Sequence, residues 1–485
     1  MAYEAVIGLE CHIQLDTASK MFCDCPVEFG ALPNTHTCPV CLGLPGALPR
    51  TNRAAVDAAL RLGMALGCAI AERSVFARKH YFYPDMPKNY QITQYDRPLC
   101  EGGTLPVAGE AGARTFALTR VHLEEDTGKS FHPERIGDRK VSRVDFNRAG
   151  VPLLELVTEP VLRSPAEAAA FLTSLRRLVR WLGISGGDME KGQLRCDANV
   201  SIREAGATAL GTKTEIKNLN SIKGVERGLA AEIARQSRLL DAGERIVQAT
   251  LLFDADHDKL AVMRTKEHAH DYRYFPDPDL PLLETGPAWR ARVVASLPEL
   301  PWAREARLTG THGLPSYDAA VLCDSRELSG YFEAVARKVD AKLASNWMMT
   351  EMLRVLKARS ESVTAWAARV PAVRFAALLR RIEDNEITGP NAKQVFEEMA
   401  ESGADPAEII AARGFRVQSS AAELLPVIAA VLDEHPEPVA QFLAGKTATF
   451  GFLVGQVMKR TGGQAAPAVV QELLRVEITK RTAAG

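Results

Sequence analysis

The sequence predicts an α+β protein, strand-rich to about residue 290 and helical after it. Three observations carry this. The stretch YEAVIGLECHIQL, Tyr3 to Leu15, alternates apolar and polar residues with the period of a strand. The device recurs in QLRCDANVSI, Gln193 to Ile202, and in TKTEIKNLNSI, Thr212 to Ile222. After about Pro287 such clusters stop, and apolar residues recur at helical spacing between caps and prolines. A chain of 485 residues is too long for one core. We expect a large domain over 1–290, a helical connector over 291–405 and a small helical tail over 406–485.

Composition narrows the function classes. The formal net charge is -1, so there is no global basic field, and contact with nucleic acid must come from local patches. The start of the chain lacks a basic, then apolar, leader, and no apolar run is long enough to span a bilayer. The cytoplasm is the expected compartment. Nine cysteines in a chain of this size do not form a disulfide scaffold; they direct attention to metal.

In the first strand, Ala5, Ile7, Leu9, Cys11, Ile13 and Leu15 face a core, while Glu10, His12 and Gln14 share the other side with Gly8. A carboxylate and an imidazole two residues apart can share one cation. The alternative is a half-buried strand with its polar side in water. Next, Cys23-x-Cys25 and Cys38-x-x-Cys41 form two close pairs. Such pairs on separate turns can place four thiolates about a structural zinc ion. The gap between them holds Gly30, Pro33 and Asn34, which suit a reversal. A helix over Asn52 to Leu66 follows, capped by Thr51 or Asn52.

Phe76 to Tyr95 interleaves Arg78, Lys79, His80 and Lys88 with Tyr81, Phe82, Tyr83 and Tyr90. Cations and rings mixed in this way can hold phosphates and stack bases; a loop anchored by buried tyrosines is the other reading. Gly128-Lys129-Ser130 and Gly445-Lys446-Thr447 resemble the end of a P-loop, but Leu123 and Ala440 stand where its first glycine must be. The strand LTRVHLEEDTG ends in Glu124, Glu125 and Asp126, which are either solvated or gathered around a divalent ion. DFNRAGVPLLELVTEP places Arg148 and Glu155 on an apolar run, and Ser164 to Glu167 is a capping box opening a helix that ends near Gly183. Arg195, Asp197 and Asn199 share one strand face, as do Lys213, Glu215 and Lys217. Several such strands in one domain predict a sheet with a working polar face. HAHDYRYFPDPDLP, His268 to Pro281, is a second basic-aromatic loop whose best phosphate candidate is Arg273.

Beyond Pro287 we expect helices over Lys342–Leu356, Ala372–Asp384, Asn391–Ala400, Phe450–Lys459 and Pro467–Ile478. Ser420 to Glu423 reads as a capping box, and Gly451 and Gly455 as a face that admits a close neighbour. Lys446, Lys459 and Arg460 could meet RNA phosphate or simply be solvated helix ends.

VIGLECHIQL, the four-cysteine knuckle, RKHYFYPDMPKNYQI, HLEEDTGK, DFNRAGVPLLELVTEP, LRCDANVS, EIKNLNS and HDYRYFPDPDLP together resemble the B subunit of the tRNA-dependent glutamyl/aspartyl amidotransferase. The resemblance spans nearly the whole chain. It implies a cradle-like catalytic domain of the glutamine synthetase/guanido kinase fold. It also implies that ATP phosphorylates the side-chain carboxylate of Glu-tRNA(Gln) or Asp-tRNA(Asn), and that ammonia then displaces phosphate. By the same resemblance Glu10, His12, Glu125 and Glu215 are expected to hold Mg²⁺ as the catalytic set, with Glu124, Asp197 and Lys217 behind them or at phosphate. Lys79, Tyr83, Lys88 and Arg273 are our own candidates for ATP or the aminoacyl end. The ammonia source is not visible in this chain. The resemblance therefore implies a glutaminase (amidase) partner as the A subunit, a small C subunit and association with a non-discriminating aminoacyl-tRNA synthetase. The competing reading is a non-catalytic, zinc-stapled scaffold that presents tRNA to a partner enzyme.

Overall fold

The computed structural model describes residues 3–109, 112–131, 134–136, 139–265 and 272–484. The chain forms two compact units, Met1–Trp302 and Ala303–Gly485. In the first, ten strands make the main path of a 13-stranded sheet. They are β1 (Tyr3–Gln14), β2 (Ala77–His80), β3 (Tyr90–Thr93), β4 (Gly112–Glu125) and β5 (Pro152–Thr158). They continue with β6 (Leu194–Glu204), β7 (Thr214–Lys217), β8 (Ala249–Asp254), β9 (Lys259–Thr265) and β10 (Phe275–Pro276). Their order is β9-β8-β7-β6-β1-β5-β4-β3-β2-β10. Only β7 and β8 run parallel along this path.

The central place of β1 follows from its pattern. Its odd-numbered residues Ile7, Leu9, Cys11 and Ile13 are buried in one cluster with residues of three helices. These are α1 (Arg53–Ala65), α2 (Pro165–Trp181) and α3 (Ile222–Asp241). Val56 and Leu60 come from α1, Phe171, Leu175 and Val179 from α2, and Leu229 from α3. Burying each such side chain contributes about 1.5–3 kcal/mol. The helices therefore cover one face of the sheet. The other face receives the even-numbered, polar side chains of β1.

The helices begin where side chains satisfy their first amides. Asn52, rather than Thr51, caps α1, accepting from the Ala54 amide at 2.9 Å. Ser164 Oγ accepts from the Glu167 amide at 3.1 Å, and Glu167 reaches back to the Arg163 amide at 2.8 Å. Ser221 Oγ caps α3 through the Gly224 amide at 2.9 Å.

The second unit is built of helices. The segment expected as one helix over Lys342–Leu356 is helical, with a π turn at Met348–Met352 between Ala341–Trp347 and Leu353–Arg359. Ala372–Glu383 buries Phe375, Leu378 and Leu379. Two expectations are corrected. Ser420 makes no side-chain capping bond, and the Glu423 side chain pairs with Arg416 at 3.2 Å. Gly451 and Gly455 face open space, and the buried stripe of their helix is Leu453 and Val457 instead. Arg460 pairs with Glu434 at 2.6 Å. Leu424, Ile428, Leu453, Val457, Val470 and Leu474 form a separate small core near the C-terminus.

Candidate functional site

The polar face is built by register. Glu10 stands opposite Asp197 of β6, and His12 stands opposite Arg195 of β6 and Glu155 of β5. Glu155 in turn stands opposite His122 of β4, and Glu124 follows two residues on. His12 is the hub. Its Nε2 lies 3.9 Å from Glu10, 3.3 Å from Glu124 and 3.4 Å from Glu155. Ligand atoms of Glu10, His12 and Glu155 lie within 4.8 Å of one another, and so do those of His122, Glu124 and Glu155.

Electrostatics follows from this crowding. Burial alone would depress His12, but hydrogen bonding to Glu155 and the charges of Glu124 and Glu155 raise it to about 9. Burial pushes Glu124 up to about 7 and His122 down to about 4. Against burial, the two histidines hold Glu155 below the usual carboxylate range. Burial and Glu155 raise Glu10. Among the described residues, buried His122 finds no hydrogen-bond partner for its Nδ1. Once His12 gives up its proton, its imidazole and the carboxyl groups on both sides of it are a donor set suited to a hard divalent cation.

The four residues expected to share one ion do not form one cluster. Glu10 and His12 are together. Glu215 lies two strands away, accepting from Thr250 at 2.8 Å; Lys217 pairs with both Glu215 and Asp197 and acts on the charge of Glu10. Glu125 is on the opposite side of β4, because side chains alternate and Glu124 takes the place beside His12. There Glu125 pairs with buried Lys88 and accepts from the Ile92 amide at 2.9 Å. Lys88 is thereby withdrawn from the expected ATP contact. Lys79 does reach the acids: it acts on the charges of Glu124 and Glu155, with its Nζ 4.9 Å from the Tyr272 ring. Tyr83 is exposed on the turn between β2 and β3. Arg273 has a left-handed backbone, φ 45°, and its carbonyl lies 3.1 Å from His80 Nδ1. Residues 266–271, which include the first four of the second basic-aromatic loop, lie outside the described residues.

Glu155 and His122 were not expected in the site. Glu155 looked like a charge on an apolar run, and only its register opposite His12 gives it a role. An aromatic wall stands beside the acids: Tyr95 stacks on Tyr274 at 4.1 Å, and Tyr272 meets Tyr274 edge-on.

The knuckle cysteines Cys23, Cys25, Cys38 and Cys41 bring their Sγ atoms within 4.8 Å of one another. Tetrahedral zinc with Zn–S near 2.3 Å needs sulfurs about 3.8 Å apart, so this set fits the ion. Lys20, wholly buried, places its Nζ 3.6 Å from Cys41 Sγ.

Comparison with known proteins follows the same lines. A family described as the GatB/GatE catalytic domain matches residues 5–291, and one described as the GatB domain matches residues 330–478. The chain is 51% identical to the aspartyl/glutamyl-tRNA(Asn/Gln) amidotransferase B subunit of Moorella thermoacetica, over 98% of this chain and 99% of the relative. It is 48% identical to the protein of the same name from Chlorobium phaeobacteroides, over 99% of this chain and all of the relative. With the Geotalea daltonii protein the identity is 49%, over 98% and 99% of the two chains.

Proposed function

Because this chain belongs to the family of tRNA-dependent amidotransferase B subunits, we propose that the face around His12 is its kinase site. The chain is a ligase subunit that amidates an amino acid carried on tRNA. ATP phosphorylates the side-chain carboxylate of Glu-tRNA(Gln), Asp-tRNA(Asn) or both. A carboxylate oxygen attacks the γ-phosphorus, the bond to the β-phosphate oxygen breaks, and ADP leaves. Ammonia then adds to the acyl phosphate, phosphate departs and the nitrogen loses a proton.

The observation that carries this reading is His12 ringed by Glu10, Glu124 and Glu155. Glu10, His12 and Glu155 would hold Mg²⁺, which when bound neutralises phosphate oxygens and orients them. Glu215 and Asp197 adjoin this set through Lys217. Lys79 and Arg120 stand on the same face and offset the charge of the transferring group; the Arg120 guanidinium lies 3.6 Å from Glu155. A scaffold without catalysis has no use for a buried imidazole bracketed by carboxylates, so that reading is not favoured.

Several finer assignments are ours. The helix-covered sheet with one charged face supports a glutamine synthetase/guanido kinase-like fold. The separate C-terminal core supports the division 1–290, 291–405 and 406–485, with the last part meeting tRNA. Zinc at the knuckle is structural. The partners are a glutaminase serving as the A subunit, a small C subunit and a non-discriminating aminoacyl-tRNA synthetase. No helix among the described residues is long and apolar enough to cross a membrane.

The test is Glu155→Gln in the assembled complex. Loss of ATP hydrolysis and amide formation, with glutaminase activity and tRNA affinity kept, is expected. Full amidation by this variant would remove the kinase assignment.

A further inference from the structure

We propose that a cavity at the Gln14 end of β1 receives the single-stranded 3′ end of the tRNA substrate. The inference rests on the kinase-face reading and gives that face a direction.

The cavity has a volume of about 320 Å³, within the size range of ligand sites. Gln14 forms part of its floor, on the same side of β1 as His12. At about 3.4 Å per residue, Gln14 stands about 7 Å along the strand from His12 in the reactive cluster. An amino acid esterified to the end of an RNA can reach that cluster only if its nucleotides lie this close.

The lining suits those nucleotides. Phe29, on the loop between the cysteine pairs, is 74% exposed, and Phe131 is exposed on the segment after β4. Lys129, Arg148 and Lys191 stand around them, Arg148 3.5 Å from Asp126 and Lys191 3.6 Å from Asp188. Lys129 Nζ lies 5.1 Å from the Phe131 ring and makes no ion pair among the described residues. Two exposed rings beside Lys129 match the bases and a phosphate of a single strand. Of the two acids in the lining, Asp145 is held by backbone amides, while the Glu28 side chain is 69% exposed. Asp145 accepts from the Asn34 and Asn147 amides at 2.9 Å each, and Glu28 lies 3.8 Å from His36.

The walls are also held in place. Asn34 donates from its side chain to the Val144 carbonyl at 3.1 Å and accepts from the Phe146 amide at 2.8 Å. Asn147 donates to the Leu32 carbonyl at 2.7 Å and accepts from the His36 amide at 2.8 Å. Arg148 donates to the Thr127 and Gly128 carbonyls at 3.0 and 2.7 Å. Phe29 is thus displayed on a fastened loop. A rigid wall loses less entropy when it meets its ligand.

The experiment compares Phe29→Ala and Lys129→Ala with wild type in the assembled complex. Each is measured for affinity toward intact tRNA and toward tRNA trimmed of its single-stranded 3′ end, and for the KM of ATP. Wild-type amidation of the same tRNA is the control for the kinase reading; if it fails, that reading fails first. The inference expects each variant to lose about fivefold or more in affinity for intact tRNA, the lower end of one base–aromatic stack. Trimmed tRNA should bind wild type and variants alike, and the ATP KM should not move. Equal losses with intact and trimmed tRNA, or no loss with either, overturn the inference. A raised ATP KM with unchanged tRNA affinity would assign the cavity to nucleotide instead. Both side chains are exposed, so unchanged thermal unfolding is expected and excludes a folding defect.

Discussion

Lys20 Nζ lies 3.6 Å from Cys41 Sγ and donates to the His36 and Phe146 carbonyls at 2.7 and 3.2 Å. A four-thiolate zinc site carries two net negative charges, and this ammonium offsets part of them. It also ties the knuckle to the segment that carries Arg148. Lys20→Met should keep the side chain's bulk and remove the charge. Zinc release to a chelator should then be about 10–100-fold faster, the usual cost of losing a partner behind a metal ligand. The thiolate bands of the cobalt-substituted protein should shift as well. Unchanged release would show that the charge does not matter.

His12 gives a pH dependence with a definite sign. Its folded-state pKa is raised, to about 9 from 6.5, so its contribution to stability is complete below about pH 6.5 and is lost as the pH rises through about 9. Denaturation of the Mg²⁺-free protein across that window should show falling stability, and His12→Asn should flatten the fall. Added Mg²⁺ competes with the proton and should bind more tightly at the high end of the window.

Lys88 and Glu125 are both buried and pair on the side of β4 away from His12. Removing one partner leaves the other charge stranded. Lys88→Met should therefore cost about 3–5 kcal/mol in urea unfolding. The double variant Lys88→Met with Glu125→Gln should recover much of that loss. If the single and double variants are equally stable, the pair is not coupled.

Asn34 takes a left-handed backbone, φ 59°, and three hydrogen bonds fasten it to the 144–146 segment. Asn34→Ala should remove the side-chain bonds and strain the backbone, costing about 1–3 kcal/mol. The loop carrying Phe29 should become more sensitive to limited proteolysis. Resistance equal to wild type would mean that the side-chain bonds of Asn34 do not hold the loop.

Much of the fold was legible because strands and helices write different periods. Tyr3 to Gln14 could be oriented residue by residue, and the capping residues Asn52 and Ser164 announce their helices, whereas the helix that Ser221 opens lies where the sequence reads as the end of a strand. The clustering of Cys23, Cys25, Cys38 and Cys41 was legible because the four thiols lie close in the chain. The polar face was legible in kind but not in membership. Glu124 and Glu125 are adjacent in sequence, and only the pleat of β4 decides which one meets His12. Glu155 gave no local signal, because its partner His12 lies far away in the chain and is brought beside it by strand register. Gly451 and Gly455 show the reverse error, a spacing that suggested a helix contact where nothing packs.

The amino-acid order by itself determined which segments become strands, which side of each faces the core, and that four thiols can close on one ion. Those properties depend on neighbours a few residues apart. Tertiary structure alone decided which acids share His12, which cation answers Glu125, and where exposed rings meet lysines. These depend on strand register and on which way a side chain turns once its sheet is assembled, and no local period records either.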